Sequence, residues 1–208
     1  MVSKKQKALQ RSTGRLEQRQ RFLIYVEGDV SESLYLKGVR RDLGRAGPNI
    51  EIGGTHGEPL GLVRAAIAQR ERERREGNPF SQVWCVFDVE APQPHGALDE
   101  AVTLAGRNRI RCGISNPCFE LWLILHLREQ YGWLTTDQAC DQLMSLACGY
   151  DKHGKRFDYD LFREHGETAS DRADALHGRF TDPIALRERN PWTSVHQLFR
   201  ELRQACAA

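Results

Sequence analysis

The chain has 208 residues, 40% hydrophobic and 28% charged, with a formal net charge of +2, which suits one elaborated globular domain or two small ones. Its densest apolar run, 119–127, already holds Glu120 and His126; this is far short of the ~18 apolar residues of a membrane span, and the basic start from Lys4 onward has no apolar stretch behind it, unlike a secretory signal. Six cysteines without a CxxC pair or zinc-type spacing point to reduced thiols in a cytoplasmic protein, none of them a nucleophile.

Charge is unevenly placed. Lys4, Lys5, Lys7, Arg11, Arg15, Arg19 and Arg21 face only Glu17 within the first 21 residues, while the remainder is mildly acidic. A basic arm over residues 1–20 suits an anionic partner such as nucleic acid. Phe22–Gly28 is a continuous apolar run closed by Glu27 and a glycine, the pattern of a parallel strand buried on both faces. Ser31 then resembles an N-cap, with a helical stripe of Leu34, Tyr35, Leu36 and Val39. Asn49–Ile52 is a second strand, and Pro59 or Gly61 opens a second helix that stops near Gly77. Gln82–Asp88 is the clearest strand, again ending on a carboxylate. A proline-rich loop, a helix over Ala97–Arg107 and a strand over Arg109–Ile114 follow. Ser115-Asn116-Pro117 is expected to cap an apolar helix, Cys118–Leu127.

Strand–helix alternation four times over predicts an α/β fold over 21–130, with a mostly parallel sheet flanked by helices. Residues 131–208 are expected to form a helical extension packed on it: a helix capped at Thr135/Thr136, a polar stretch over Tyr150–Tyr159, then helices at Leu161–Gly166, Ala169–His177, Pro183–Arg189 and beyond Pro191.

In open α/β sheets ligands bind outside the carboxyl ends of the strands, and the acids fall there. Glu27 ends the first strand, Asp88 and Glu90 end the third, Glu32 opens the helix after the first strand, and Glu120 opens the helix after the fourth. With the first and third strands adjacent, Glu27 and Asp88 converge. Crowded carboxylates at neutral pH require a proton or a cation between them. Oxygen-only donors suit a hard ion such as Mg²⁺, and two such ions about 4 Å apart would stabilise both oxygens of a phosphodiester displacement. Gly28 permits a close approach that a side chain would block.

Glu27-Gly28 after one strand and Asp88-x-Glu90 after another resemble the Toprim pattern of topoisomerases, primases and OLD-type nucleases. The blocks Ile24–Glu32, Val83–Glu90, Ile114–His126 and Asn190–His196, above all Ser115-Asn-Pro-Cys-Phe-Glu-Leu-Trp122, are similar to the RloB family. That resemblance implies a Toprim-like Rossmannoid sheet and a Mg²⁺- or Mn²⁺-dependent nuclease acting on DNA or RNA, tRNA included. It also implies a setting in bacterial antiphage defence, beside an ABC-type ATPase as partner. Carried over, Glu27 is a metal ligand or general base and Asp88 and Glu90 are the metal-binding pair, with glutamate at 90 where the pattern has aspartate. Glu32, Ser115 and Glu120 are expected to complete a second metal position.

Lys152, Lys155 and Arg156, interleaved with Tyr150, Phe157 and Tyr159, resemble a surface that follows a phosphate backbone while stacking bases. His196 is a further candidate for phosphate contact, and His56 for the same cleft. His126 reads as a packed core histidine, and Asn116 and Asn190 as turn and cap residues. No membrane partner is expected, and a homodimer is admitted. The alternative is a non-catalytic subunit that binds nucleic acid or the ATPase.

Overall fold

The computed structural model describes residues 19–54, 57–146, 149–180 and 184–207. His56, Cys148 and the basic arm up to residue 18 lie outside them. The elements run β1 (Arg21–Val26), α1 (Ser31–Leu43), β2 (Asn49–Ile52), α2 (Pro59–Arg75), β3 (Gln82–Asp88), α3 (Leu98–Arg107), β4 (Arg111–Asn116), α4 (Glu120–Leu127), α5 (Thr136–Ser145), α6 (Gly166–His177), β5 (Trp192–Thr193) and α7 (Val195–Ala207).

The sheet has the order β2-β1-β3-β4-β5, with β5 alone antiparallel. Alternation along β1 explains the two cores. Phe22, Ile24 and Val26 join Trp84 and Val86 beneath α1 and α4–α7, whereas Leu23 and Tyr25 join Val83, Cys85 and Phe87 beneath α2 and α3. Because both faces are covered, β1 and β3 read as unbroken apolar runs. The chain leaves β1 toward β2 on one side and β3 toward β4 on the other. The carboxyl ends of β1 and β3 therefore form the crevice where open sheets bind ligands.

The residues after 130 do more than cover the sheet. Thr193 pairs with Ser115 and Trp192 with Asn116, adding a strand, and Tyr159, Phe162, Ala169, Leu176 and Leu198 enter the same core as β1. A two-residue strand is too short to show periodicity, so Trp192–Thr193 was indistinguishable from a helix approach in sequence. The helices expected over Leu161–Gly166 and Pro183–Arg189 are replaced, among the described residues, by short 3₁₀ turns at Tyr159–Leu161, Arg163–His165 and Leu186–Glu188. The fourth strand runs two residues later than expected, so Ser115 and Asn116 end it rather than cap α4. The Thr135 cap is present: its hydroxyl accepts from the Gln138 amide at 3.1 Å, and the Gln138 carboxamide oxygen accepts from the Thr135 amide at 2.9 Å, a reciprocal capping box.

Candidate metal centre

Glu27 is the first residue beyond β1, and its amide donates to the Val86 carbonyl at 3.0 Å. That bond extends the β1–β3 ladder by one step and fixes where the side chain leaves the sheet. Glu27 Oε2 accepts from the Asp88 amide at 2.7 Å, so the two strand-end acids adjoin. Glu27 Oε1 lies 2.7 Å from His95 Nε2, close in distance but outside good hydrogen-bond alignment. His95 was missed in the sequence; the available signal was a titratable ring in the loop that leaves the carboxyl end of β3.

Glu32 curls back so that its Oε1 accepts from the Gly28 amide at 3.1 Å. A Cβ on residue 28 would stand 2.6 Å from Glu32 Oε2. The close approach that Gly28 permits is therefore that of Glu32. Gly28→Ala should push this carboxylate away; if the acids hold a divalent cation, its binding should weaken by roughly 10–100-fold, the usual scale for losing a positioning contact at a metal site. A Mn²⁺ titration of the variant beside the parent protein measures this.

Asp88 pairs in register with Ser115 at the end of β3 and is 5% exposed. Its Oδ1 is enclosed without a hydrogen-bond partner. Burial pushes its carboxyl well above the usual range, and the charges of Glu32, Glu27, Glu120 and Glu90 push the same way. Glu32 is raised to about 7, first by burial and then by Glu120, against the opposing Gly28 amide and Lys155. Glu27 is raised by burial against the Asp88 amide and His95. Glu90 adopts φ 67°, a left-handed conformation that costs a side-chain-bearing residue on the order of 1–2 kcal/mol. It is held there by its amide bond to the Pro117 carbonyl and by Thr136 Oγ1, which donates to Glu90 Oε2 at 2.6 Å.

Glu120, fully buried at the start of α4, accepts through Oε1 from Tyr150 at 2.8 Å. The same oxygen has Ser31 Oγ at 3.0 Å and Lys155 Nζ at 3.9 Å. Ser31 thus serves the site rather than the helix end, where no side-chain cap forms. Tyr150, taken in sequence for a base-stacking ring, is buried and turned inward. Ser115 is fully buried and shares a hydrogen bond with Thr193 Oγ1 at 3.0 Å.

The basic residues divide. A bridge between Asp151 and Arg156 closes the loop and points Lys155 at Glu120. Burial opposes the charge on Lys155, but Glu120 and Asp88 outweigh it and hold the ammonium protonated. Arg156 and Phe157 line a groove of about 390 Å³ with Asp29, Ser33 and Lys37. Lys152 is engaged by Asp141 at 2.6 Å and Asp137 at 3.5 Å. His196 is 2% exposed, faces Asp174 at 3.2 Å and meets His177 edge-on. This packing inside the core leaves it no open face, so the expected phosphate contact is not carried forward. His126 is the core histidine expected, bonded to Tyr35 and to the Trp122 carbonyl. Asn190 donates to Asn116 Oδ1 and to the Leu134 carbonyl, tying the C-terminal segment to β4.

Among the described residues five acids thus gather at one end of the sheet with Lys155 and His95, and two buried carboxylate oxygens, Asp88 Oδ1 and Glu120 Oε2, lack hydrogen-bond partners. Carboxylates this crowded need protons or a cation between them, and their oxygen-only donor set suits a hard divalent ion. Beside them Cys118, Glu120 and Cys140, all buried, bring one ligand atom each to within 4.8 Å of one another and could hold a metal ion. Among the described residues no helix is long and apolar enough to cross a membrane.

Searches of curated proteins and of solved structures gave no significant match. The family model described as RloB-like protein matches residues 22–202, from β1 into α7 and across every residue of the carboxylate cluster. The chain belongs to the RloB-like family.

Proposed function

We propose that this chain is a divalent-cation-dependent nuclease of Toprim type, acting in the cytoplasm on RNA, tRNA included, or on DNA. The observation that carries it is the buried carboxylate cluster at the carboxyl ends of β1 and β3, with Asp88 Oδ1 unpartnered at its centre. Asp88, Glu32 and Glu90 are the residues to hold Mg²⁺ or Mn²⁺. When bound, such an ion supplies charge neutralisation at a phosphodiester and lowers the pKa of a water.

The remaining work falls to the chain's own side chains. Glu27, held by the Asp88 amide and with its proton affinity raised by burial, takes the proton of the attacking water. His95, 2.7 Å away, can pass that proton onward. Lys155 and Arg156 meet the phosphate backbone at the rim, where a fixed positive charge offsets the negative charge that builds on phosphorus. The family resemblance adds the setting of antiphage defence, with activity governed by an ABC-type ATPase.

The test is incubation of the parent protein and Glu27→Ala with DNA and total tRNA, in Mg²⁺ or Mn²⁺, with and without an ABC-type ATPase of the proposed partner class. Cation-dependent cleavage by the parent, reduced roughly 10²–10⁴-fold in the variant as for loss of a general base, is the expected result. Equal cleavage by both proteins defeats the mechanism. Tight nucleic-acid binding that ignores EDTA, without cleavage, supports instead a non-catalytic binding subunit.

A further inference from the structure

Behind the strand-end acids lies a donor set of different chemistry. Cys118 sits in the turn between β4 and α4, Glu120 begins α4, and Cys140 lies on α5. Their ligand atoms are all within 4.8 Å of one another, and the residues are 0%, 0% and 4% exposed. Glu120 Oε1 is engaged by Tyr150, yet Oε2 is sealed from solvent without a donor. A buried, unpaired carboxylate oxygen is costly unless a cation or proton faces it.

Size and softness both select the ion. Tetrahedral zinc has Zn–S near 2.3 Å and Zn–O near 2.0–2.2 Å, which separates its donor atoms by roughly 3.5–3.8 Å. Atoms already within 4.8 Å need to close by about 1.3 Å or less. Two thiolates favour a thiophilic ion and disfavour Mg²⁺.

We propose that Cys118, Glu120 and Cys140 bind one thiophilic divalent cation of the zinc class. It clasps the β4–α4 turn to α5 and fixes Glu120 behind the strand-end acids. The two thiol protons leave to solvent as the cation enters. The Tyr150 hydroxyl, 3.8 Å from Cys140 Sγ and 2.8 Å from Glu120 Oε1, stands beside the fourth coordination position, which it or a water fills. The site shares no ligand with the Asp88, Glu32 and Glu90 set, although Glu120 adjoins it, and its metal content is measured without reference to nuclease activity. The sequence concealed it because the two cysteines lie 22 positions apart on different elements, outside any local zinc spacing.

The experiment is metal analysis of the full chain purified under reducing conditions, followed by replacement of the bound ion with Co²⁺. One equivalent of zinc, thiolate-to-cobalt charge-transfer absorption, and loss of both in Cys140→Ser are expected. X-ray absorption of the unmutated zinc protein should show two sulfur donors near 2.3 Å with lighter donors near 2.0 Å, and this holds even if the variant fails to fold. Absence of retained zinc and of the cobalt band overturns the proposal. So does a shell of only oxygen and nitrogen, undiminished zinc in a folded Cys140→Ser, or a Cys118–Cys140 disulfide in place of the ion.

Discussion

Asp88→Asn is expected to make the cation-free protein more stable and, on the proposed reading, to cost it most of its nuclease activity at once. Asp88 is enclosed at the end of β3 with four other carboxylates raising its proton affinity and one oxygen unpartnered. An amide of the same shape needs neither a proton nor a counter-charge to be buried there, and brings two N–H donors to the carboxylates around it. Relief of buried like-charge repulsion is worth on the order of 1–3 kcal/mol. In the parent protein the proposed cation, at a thousandfold excess over Kd, would return more than this, about 4.1 kcal/mol, and the variant forfeits it. Cleavage should fall on the order of 10³-fold, the scale of losing one preorganised electrostatic stabiliser. Thermal unfolding in EDTA and in Mg²⁺ should therefore rank the two proteins in opposite orders. A variant less stable in EDTA, yet still shifted by Mg²⁺ as far as the parent, contradicts this.

The second large effect is a pH dependence carried by Glu32. Its carboxyl ionises near 7 in the folded protein against an ordinary 4.5. Below pH 4.5 both states hold the proton and there is no cost. Between 4.5 and 7 the unfolded chain releases the proton while the folded one retains it, so stability falls as pH rises. The loss is complete above 7 and amounts to about 3 kcal/mol. His126, pushed down to about 3 by burial, and His196, pushed down to about 4 by burial and then His177, act in the opposite sense: they weaken the fold as pH falls below 6.5. The clean measurement is thus a difference. In urea with EDTA, the stability of the parent minus that of Glu32→Gln should decline by about 3 kcal/mol from pH 4.5 to 8, the histidine contributions cancelling. A difference that stays flat, or rises, contradicts the burial assigned to Glu32.

Strand ends were legible in the sequence because a strand buried on both faces leaves an unbroken apolar run, and a carboxylate at its end has no role in the core. Glu27, Asp88 and Glu90 could be placed at the carboxyl ends of strands on that basis, and the strand–helix alternation supplied the mostly parallel direction, while the order of the strands came from the fold. What escaped notice depends on contacts across long stretches of chain. Ser31 has the local appearance of a cap, yet its hydroxyl meets Glu120 and the Lys155 carbonyl, 89 and 124 residues away. Tyr150 carries a ring and a hydroxyl, and only packing decides that the hydroxyl faces Glu120. His196 lies in a helix whose apolar stripe was visible, but not the burial of its polar member. Cys118 and Cys140 look like small hydrophobes until α4 and α5 are laid side by side.

The presence of a hard cation among the strand-end acids is tested most directly by Mn²⁺ binding, followed by the loss of the free-ion paramagnetic resonance signal. The parent protein should deplete free Mn²⁺ saturably, with Mg²⁺ in competition, while Asp88→Asn leaves the signal of the free ion nearly intact. Identical depletion by both proteins, or none by the parent at millimolar Mn²⁺, would place the ion elsewhere or nowhere.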